Sequence, residues 1–88
     1  MSLTPKARQH LKANAHKLKP IVLIGSKGLT TAVIKEVDVA LRDHELVKIR
    51  LSTDDREAKK EMLNEICSSC HAEMVQLIGK IGVVYRKN

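Results

Sequence analysis

The chain has 88 residues, a formal net charge of +6, one Tyr and neither Phe nor Trp, so one domain with a modest aliphatic core is expected over 1–88. Its longest apolar run is Ile21–Ile24, far short of the ~20 residues of a membrane span, and no apolar signal region follows the N-terminus. The expected setting is cytosolic and reducing, with no membrane partner.

Thr4 followed by Pro5 predicts a helix start, with Thr4 as N-cap and Pro5 at the first helical position. Ala7, Leu11, Ala15 and Leu18 make a thin apolar stripe on a basic helix, and Lys19-Pro20 is expected to end it. Ile21–Ile24 is a short, fully buried strand candidate. The turn Gly25-Ser26-Lys27-Gly28 follows, and then Thr30 or Thr31 caps a second helix. There Val33, Ile34, Val37, Ala40 and Leu41 recur at helical spacing.

In "ELVKIRLS" Val47, Ile49 and Leu51 alternate with Lys48 and Arg50, which predicts a half-buried strand with a basic outer face. Ser52–Asp55 offers caps for a third helix, whose stripe is Ala58, Met62, Leu63, Ile66, Cys67 and Cys70. "EMVQLIGKIGVVYRK" reads as two strands around a loop at Gly79–Gly82. The fold class is therefore α/β, in the order α-β-α-β-α-β-β. Two layers are expected: a mixed sheet of about four strands, with helices mainly on one face. The strand-helix-strand unit should be a right-handed parallel crossover.

The charge is segregated along the chain. Residues 1–35 hold seven basic groups and no acid; residues 36–73 hold six basic and ten acidic groups; residues 74–88 add three basic groups and no acid. Such separation points to a polyanionic partner.

The glycine turn has three readings. A phosphate-binding nucleotide loop needs four residues between its glycines and a Lys-Ser/Thr pair, and a dinucleotide fingerprint needs three spaced glycines; "GSKGLT" has neither. The plain reading is a tight turn between strand and helix. The third is a seat for a nucleic-acid backbone: glycines permit close approach, Lys27 supplies charge, and the following helix N-terminus favours anions.

"KPIVLIGSKGLT", "DHELVKIRL" and "VQLIGKIGVVYR" together resemble the CRM domain, and most closely its small bacterial YhbY-like members. The resemblance runs from Leu3 to Arg86. It implies an RNA-binding domain similar in shape to the C-terminal domain of bacterial translation initiation factor three. It also implies ribosomal RNA and the precursor large ribosomal subunit as partners. The family often carries a basic residue directly after the first glycine; here Ser26 stands there and Lys27 follows. The KH domain clamps RNA with a similar turn, but between two helices, so it is an analogy only.

"CSSCH" at residues 67–71 has the letters of a c-type haem attachment site. Its cysteines fall on the apolar stripe of the third helix, where core packing is the plainer reading, so no haem is expected. A zinc site would want further spaced ligands, and no second pair exists; no cofactor is expected. His10, His16 and His44 are scattered and read as surface.

No acid-base setting surrounds any serine, so the chain is not expected to be an enzyme. A small metal-dependent nuclease is the alternative from a different class, although Asp54 and Asp55 read as helix caps. An adaptor for an acidic protein is another. The favoured reading is recognition of RNA backbone and shape, because one Tyr cannot stack several bases. The candidate contacts are Gly25, Ser26, Lys27, Gly28 and Thr30 at the turn, and Lys6, Arg8, Lys12 and Lys19 on and after the first helix. Lys48, Arg50 and Arg86 on the strands complete the set.

Overall fold

Each helix starts on a side chain that satisfies its first amides. In the computed structural model, which describes residues 3–88, α1 (Pro5–Ala15) begins at Thr4, whose Oγ1 accepts from the Ala7 amide at 3.1 Å. For α2 (Thr31–His44) the cap is Thr30, accepting from the Val33 amide at 3.2 Å. For α3 (Arg56–Cys70) it is Asp55, which takes the Glu57 and Ala58 amides at 3.0 and 3.3 Å.

The strands are β1 (Val22–Ile24), β2 (Leu46–Leu51), β3 (Glu73–Ile78) and β4 (Ile81–Tyr85). They form one mixed sheet in the order β1-β2-β4-β3. β1 and β2 are parallel, as a strand-helix-strand unit requires, and the other two pairings are antiparallel. The α/β class, the element order and the mixed four-stranded sheet agree with the sequence reading.

Side chains of the sheet alternate between its faces. Val22, Ile24, Val47, Ile49, Leu51 and Val84 face α2 and α3, where Val37, Leu41, Leu63, Ile66 and Cys70 complete the main core. The second face carries α1 on a smaller cluster, with Ala15, Val75 and Val83 buried and Leu11, Leu46, Ile81 and Tyr85 packed around them. Two of the three described helices thus share one face, as expected, but α1 lies on the other and adds a third layer to the two expected, because Val75 and Val83 offer it a second apolar face.

Three local boundaries differ from the sequence reading. α1 ends at Ala15, four residues before Lys19, because Lys17 and Leu18 donate to the carbonyls three residues back, at 3.2 and 3.0 Å. β1 starts at Val22 and is not fully buried: Leu23 is 58% exposed, and Ile21 just before it 50%, since β1 is an edge strand with only one face on the core. The hairpin loop is Gly79-Lys80 alone, with φ +56° at Gly79, and Ile81 and Gly82 belong to β4.

Candidate nucleic-acid interface

The residues of GSKG form a β-turn closed by the Gly28 amide on the Gly25 carbonyl at 3.0 Å. Gly28 has φ +77°, a conformation that favours glycine, whereas Gly25 has no such demand and open space where a Cβ would stand. Ser26 and Lys27 occupy the exposed middle of the turn. Thr30 then caps α2, so the turn leads into a helix N-terminus through Leu29, which packs on the main core.

Two hydrogen bonds place this turn within a larger end of the molecule. The Ser52 amide donates to the Ile24 carbonyl at 3.0 Å, and the Leu51 amide to the Lys80 carbonyl at 2.7 Å. The GSKG turn, the Ser52–Asp55 segment and the Gly79-Lys80 turn therefore share one end of the sheet. Lys80 was not among the sequence candidates. Its ammonium stands 3.3 Å from Asp54 at this end. Lys59 of α3 is buried, with its Nζ donating to the Gly79 carbonyl at 2.6 Å, and so pins the same turn from inside.

Just inside this end, strand register builds a row across the second face: Leu23, Arg50, Ile81 and Ile78. The next row on that face is Lys48, Val83 and Gln76, and the last is Leu46, Tyr85 and Glu73. α1 covers the lower rows. The upper row remains open, with Arg50 exposed and Leu23 and Ile78 at 58% and 63%. Ile21–Ile24 is apolar at every position and carries no alternation, so the exposure of Leu23 follows from the edge position of β1 and was not legible in the sequence.

Lys6, Lys12 and Lys19 are exposed, and Lys12 borders the open row through a hollow beneath α1. Three other candidates are engaged within the fold. The Arg8 guanidinium donates to the Met74 carbonyl on β3. Lys48 Nζ donates to the Ala15 and Leu18 carbonyls at 3.1 and 3.2 Å, satisfying the frayed end of α1. Arg86 lies on the α2–α3 side, where its guanidinium donates to Asp38 Oδ1 at 2.6 Å, the Cys70 carbonyl at 2.9 Å and the Asp38 carbonyl at 3.2 Å. Sequence alone presents these three as outward cations; hydrogen-bond demand at element ends recruits them inward.

Acidic groups are likewise engaged. The Arg86 hydrogen bond holds the Asp38 carboxyl below its ordinary value, assisted by Arg42 at 3.6 Å. Among the described residues, no three Asp, Glu, His or Cys side chains come together as a metal-binding group. "CSSCH" spans the last turn of α3 and its cap, His71, at φ 55°. Cys70 is buried and its Sγ donates to the Ile34 carbonyl at 3.7 Å; Cys67 packs at the edge of the main core. Burial raises both thiols, Cys67 to about 11.

Comparison with known proteins agrees with this architecture. A Staphylococcus aureus solution structure, the hypothetical protein SAV1595, superposes with a TM-score of 0.88 at 33% identity, covering 99% of this chain and 91% of that one. "Probable RNA-binding protein PA4753" of Pseudomonas aeruginosa is 40% identical over 88 residues, spanning all of this chain and 85% of the relative. A Haemophilus influenzae protein named "RNA-binding protein" is 44% identical over 85 residues, covering 97% of this chain and 86% of the relative. The CRS1 / YhbY (CRM) domain matches residues 3–86, which is nearly the whole sequence. With fold, turn and sheet in agreement, the chain belongs to the CRS1/YhbY (CRM) domain family.

Proposed function

We propose that residues 1–88 act as one cytoplasmic RNA-binding unit for structured ribosomal RNA, engaged during assembly of the large ribosomal subunit. The observation that carries this reading is the open row Leu23–Arg50–Ile81–Ile78, lying beneath two turns that present Lys27 and Lys80. Backbone phosphates take the cations, and the glycine turn admits the sugar-phosphate chain closely. The names of the Pseudomonas and Haemophilus relatives favour RNA over other polyanions.

Binding rather than catalysis is the role proposed, since the adjacent carboxylates weighed for a nuclease, Asp54 and Asp55, have partners within the fold. Asp55 caps α3, Asp54 pairs with Lys80, and Asp38 holds Arg86. The GSKG tip, Lys12 and Arg50 carry the RNA contacts; Lys6 and Lys19 extend the basic surface. Arg8, Lys48 and Arg86 shape the fold behind it.

Crosslinking in cells, read as RNA positions, tests the partner. Crosslinks concentrated in large-subunit ribosomal RNA, with co-sedimentation on precursor rather than mature particles, are expected. Crosslinks spread evenly over messenger and transfer RNA overturn the ribosomal assignment. In vitro, neutralising about four to six phosphates should give a log–log salt slope of roughly −3 to −5. A slope near zero removes the backbone-contact account.

A further inference from the structure

We propose that the hollow between α1 and the sheet seats one unpaired nucleobase of the bound RNA. The inference rests on the RNA-binding reading above and adds what the site selects: a bulged or flipped-out nucleotide within a folded RNA. The hollow measures about 180 Å³ and opens beside the uncovered row, with Ile78 and Ile81 shared by both. That volume lies below the ~300–1,000 Å³ of sites for drug-sized ligands, so it suits one ring system and not a dinucleotide.

Its lining matches the two chemistries of a base. Ile78, Ile81 and Val83 supply apolar surface for a ring face, and the His16 imidazole provides a planar partner. The Gln76 side chain offers both a donor and an acceptor for a base edge. Lys12 stands at the rim, where the attached phosphate would lie.

The strand geometry gives independent support. Regular alternation from Met74 would turn Gln76 toward α3 and the apolar core. β3 instead carries a register shift between Met74 and Gln76, after which Gln76 pairs with Val83 of the α1-side cluster. The irregularity re-aims one amide side chain into the hollow and restores Leu77 to the main core. Ile78 is left 63% exposed at the mouth, an apolar surface that the fold itself does not cover.

The test uses two RNA hairpins of equal length and charge, one fully paired in its stem and one with a single bulged uridine. The bulged hairpin should bind about 5-fold tighter or more, the gain of one stacked base. Gln76→Ala should remove that preference while leaving affinity for the paired hairpin unchanged. Lys27→Ala should weaken both hairpins alike. With 4-thiouridine as the bulged base, the photo-crosslink should fall within residues 76–83 or on His16.

Equal affinity for the two hairpins, or a crosslink confined to the GSKG turn, overturns the base seat and leaves the RNA-binding reading intact. Failure to bind either hairpin overturns both. A concentration-dependent dimer in sedimentation without RNA, abolished by Ile78→Asp, would assign the open face to a second copy of the chain and also overturn the proposal.

Discussion

The guanidinium of Arg86 and the carboxylate of Asp38 meet at 2.6 Å and tie the segment after β4 to α2. The same guanidinium reaches the Cys70 carbonyl at the end of α3. One side chain thus joins both helices of the main layer. Arg86→Ala should lower the melting temperature while leaving the RNA affinity of the folded protein unchanged. Arg86→Lys should rescue little, because an ammonium cannot reproduce the planar fork. The pair also gives an acid dependence. Asp38 is held below its ordinary value, chiefly by this hydrogen bond. Its contribution is present above the unfolded carboxyl pKa and is lost as pH falls through the lower folded value. Acid unfolding of Asp38→Asn, compared with the parent, should therefore show a smaller loss of stability over that interval.

Gly82 is required by packing. A Cβ at this position would stand 2.7 and 2.8 Å from the two Leu63 methyls and 3.2 Å from its Cγ. Leu63 is fully buried, so its side chain can move only by displacing the core. Gly82→Ala should cost about 1–3 kcal/mol, as overpacked cores do. In a double-mutant cycle, Leu63→Ala should cost less in the Gly82→Ala background than in the parent. Additivity within ~0.5 kcal/mol would show that the contact is relieved elsewhere.

Replacing both Ser26 and Lys27 by Asp separates turn from function. Both residues are exposed, and the Gly25–Gly28 hydrogen bond needs neither side chain. The circular dichroism spectrum should persist while RNA affinity falls by about 1–3 kcal/mol, the loss of one or two charge-assisted contacts. Lys27→Ala should cost less, because backbone donors remain. Unchanged affinity at equal salt would reduce GSKG to a turn and move the interface to α1 and the sheet.

The cysteines should be chemically quiet in the folded protein. With Cys67 raised to about 11 and Cys70 buried, little thiolate exists at pH 8. Titration with a chromogenic disulfide at pH 8 should react slowly in the native state and rapidly in denaturant. Fast native-state reaction of two thiols would contradict their packing in α3. Cys70→Ala should lower stability without changing RNA affinity.

Much of this fold is written locally. Thr4, Thr30 and Asp55 announce their helices because capping chemistry acts over three residues. Val47, Ile49 and Leu51 announce β2 because alternation is a property of one strand. Positions decided by other elements were not legible. The inward roles of Arg8, Lys48 and Arg86 depend on carbonyls 66, 33 and 16 residues away in sequence. The placement of Gln76 depends on a register shift against β4. The GSKG turn was visible as a motif, but its companion Lys80 became apparent only once the sheet placed both turns at one end.

The short edge strand has a further consequence for how the protein opens. Among the described residues β1 pairs with β2 alone, over three residues, and leads directly into the GSKG turn. Releasing it breaks one brief parallel ladder, while the β2–β4–β3 unit keeps its antiparallel pairings. Local opening free energies vary across a fold, and a short edge ladder lies toward the low end. Amides of Val22–Ile24 should therefore exchange with solvent before those of β4, in a step that does not need global unfolding. The turn offered to RNA would then be mounted on the part of the sheet that yields first. Docking there would be read as slowed exchange in β1, with β4 amides unmoved.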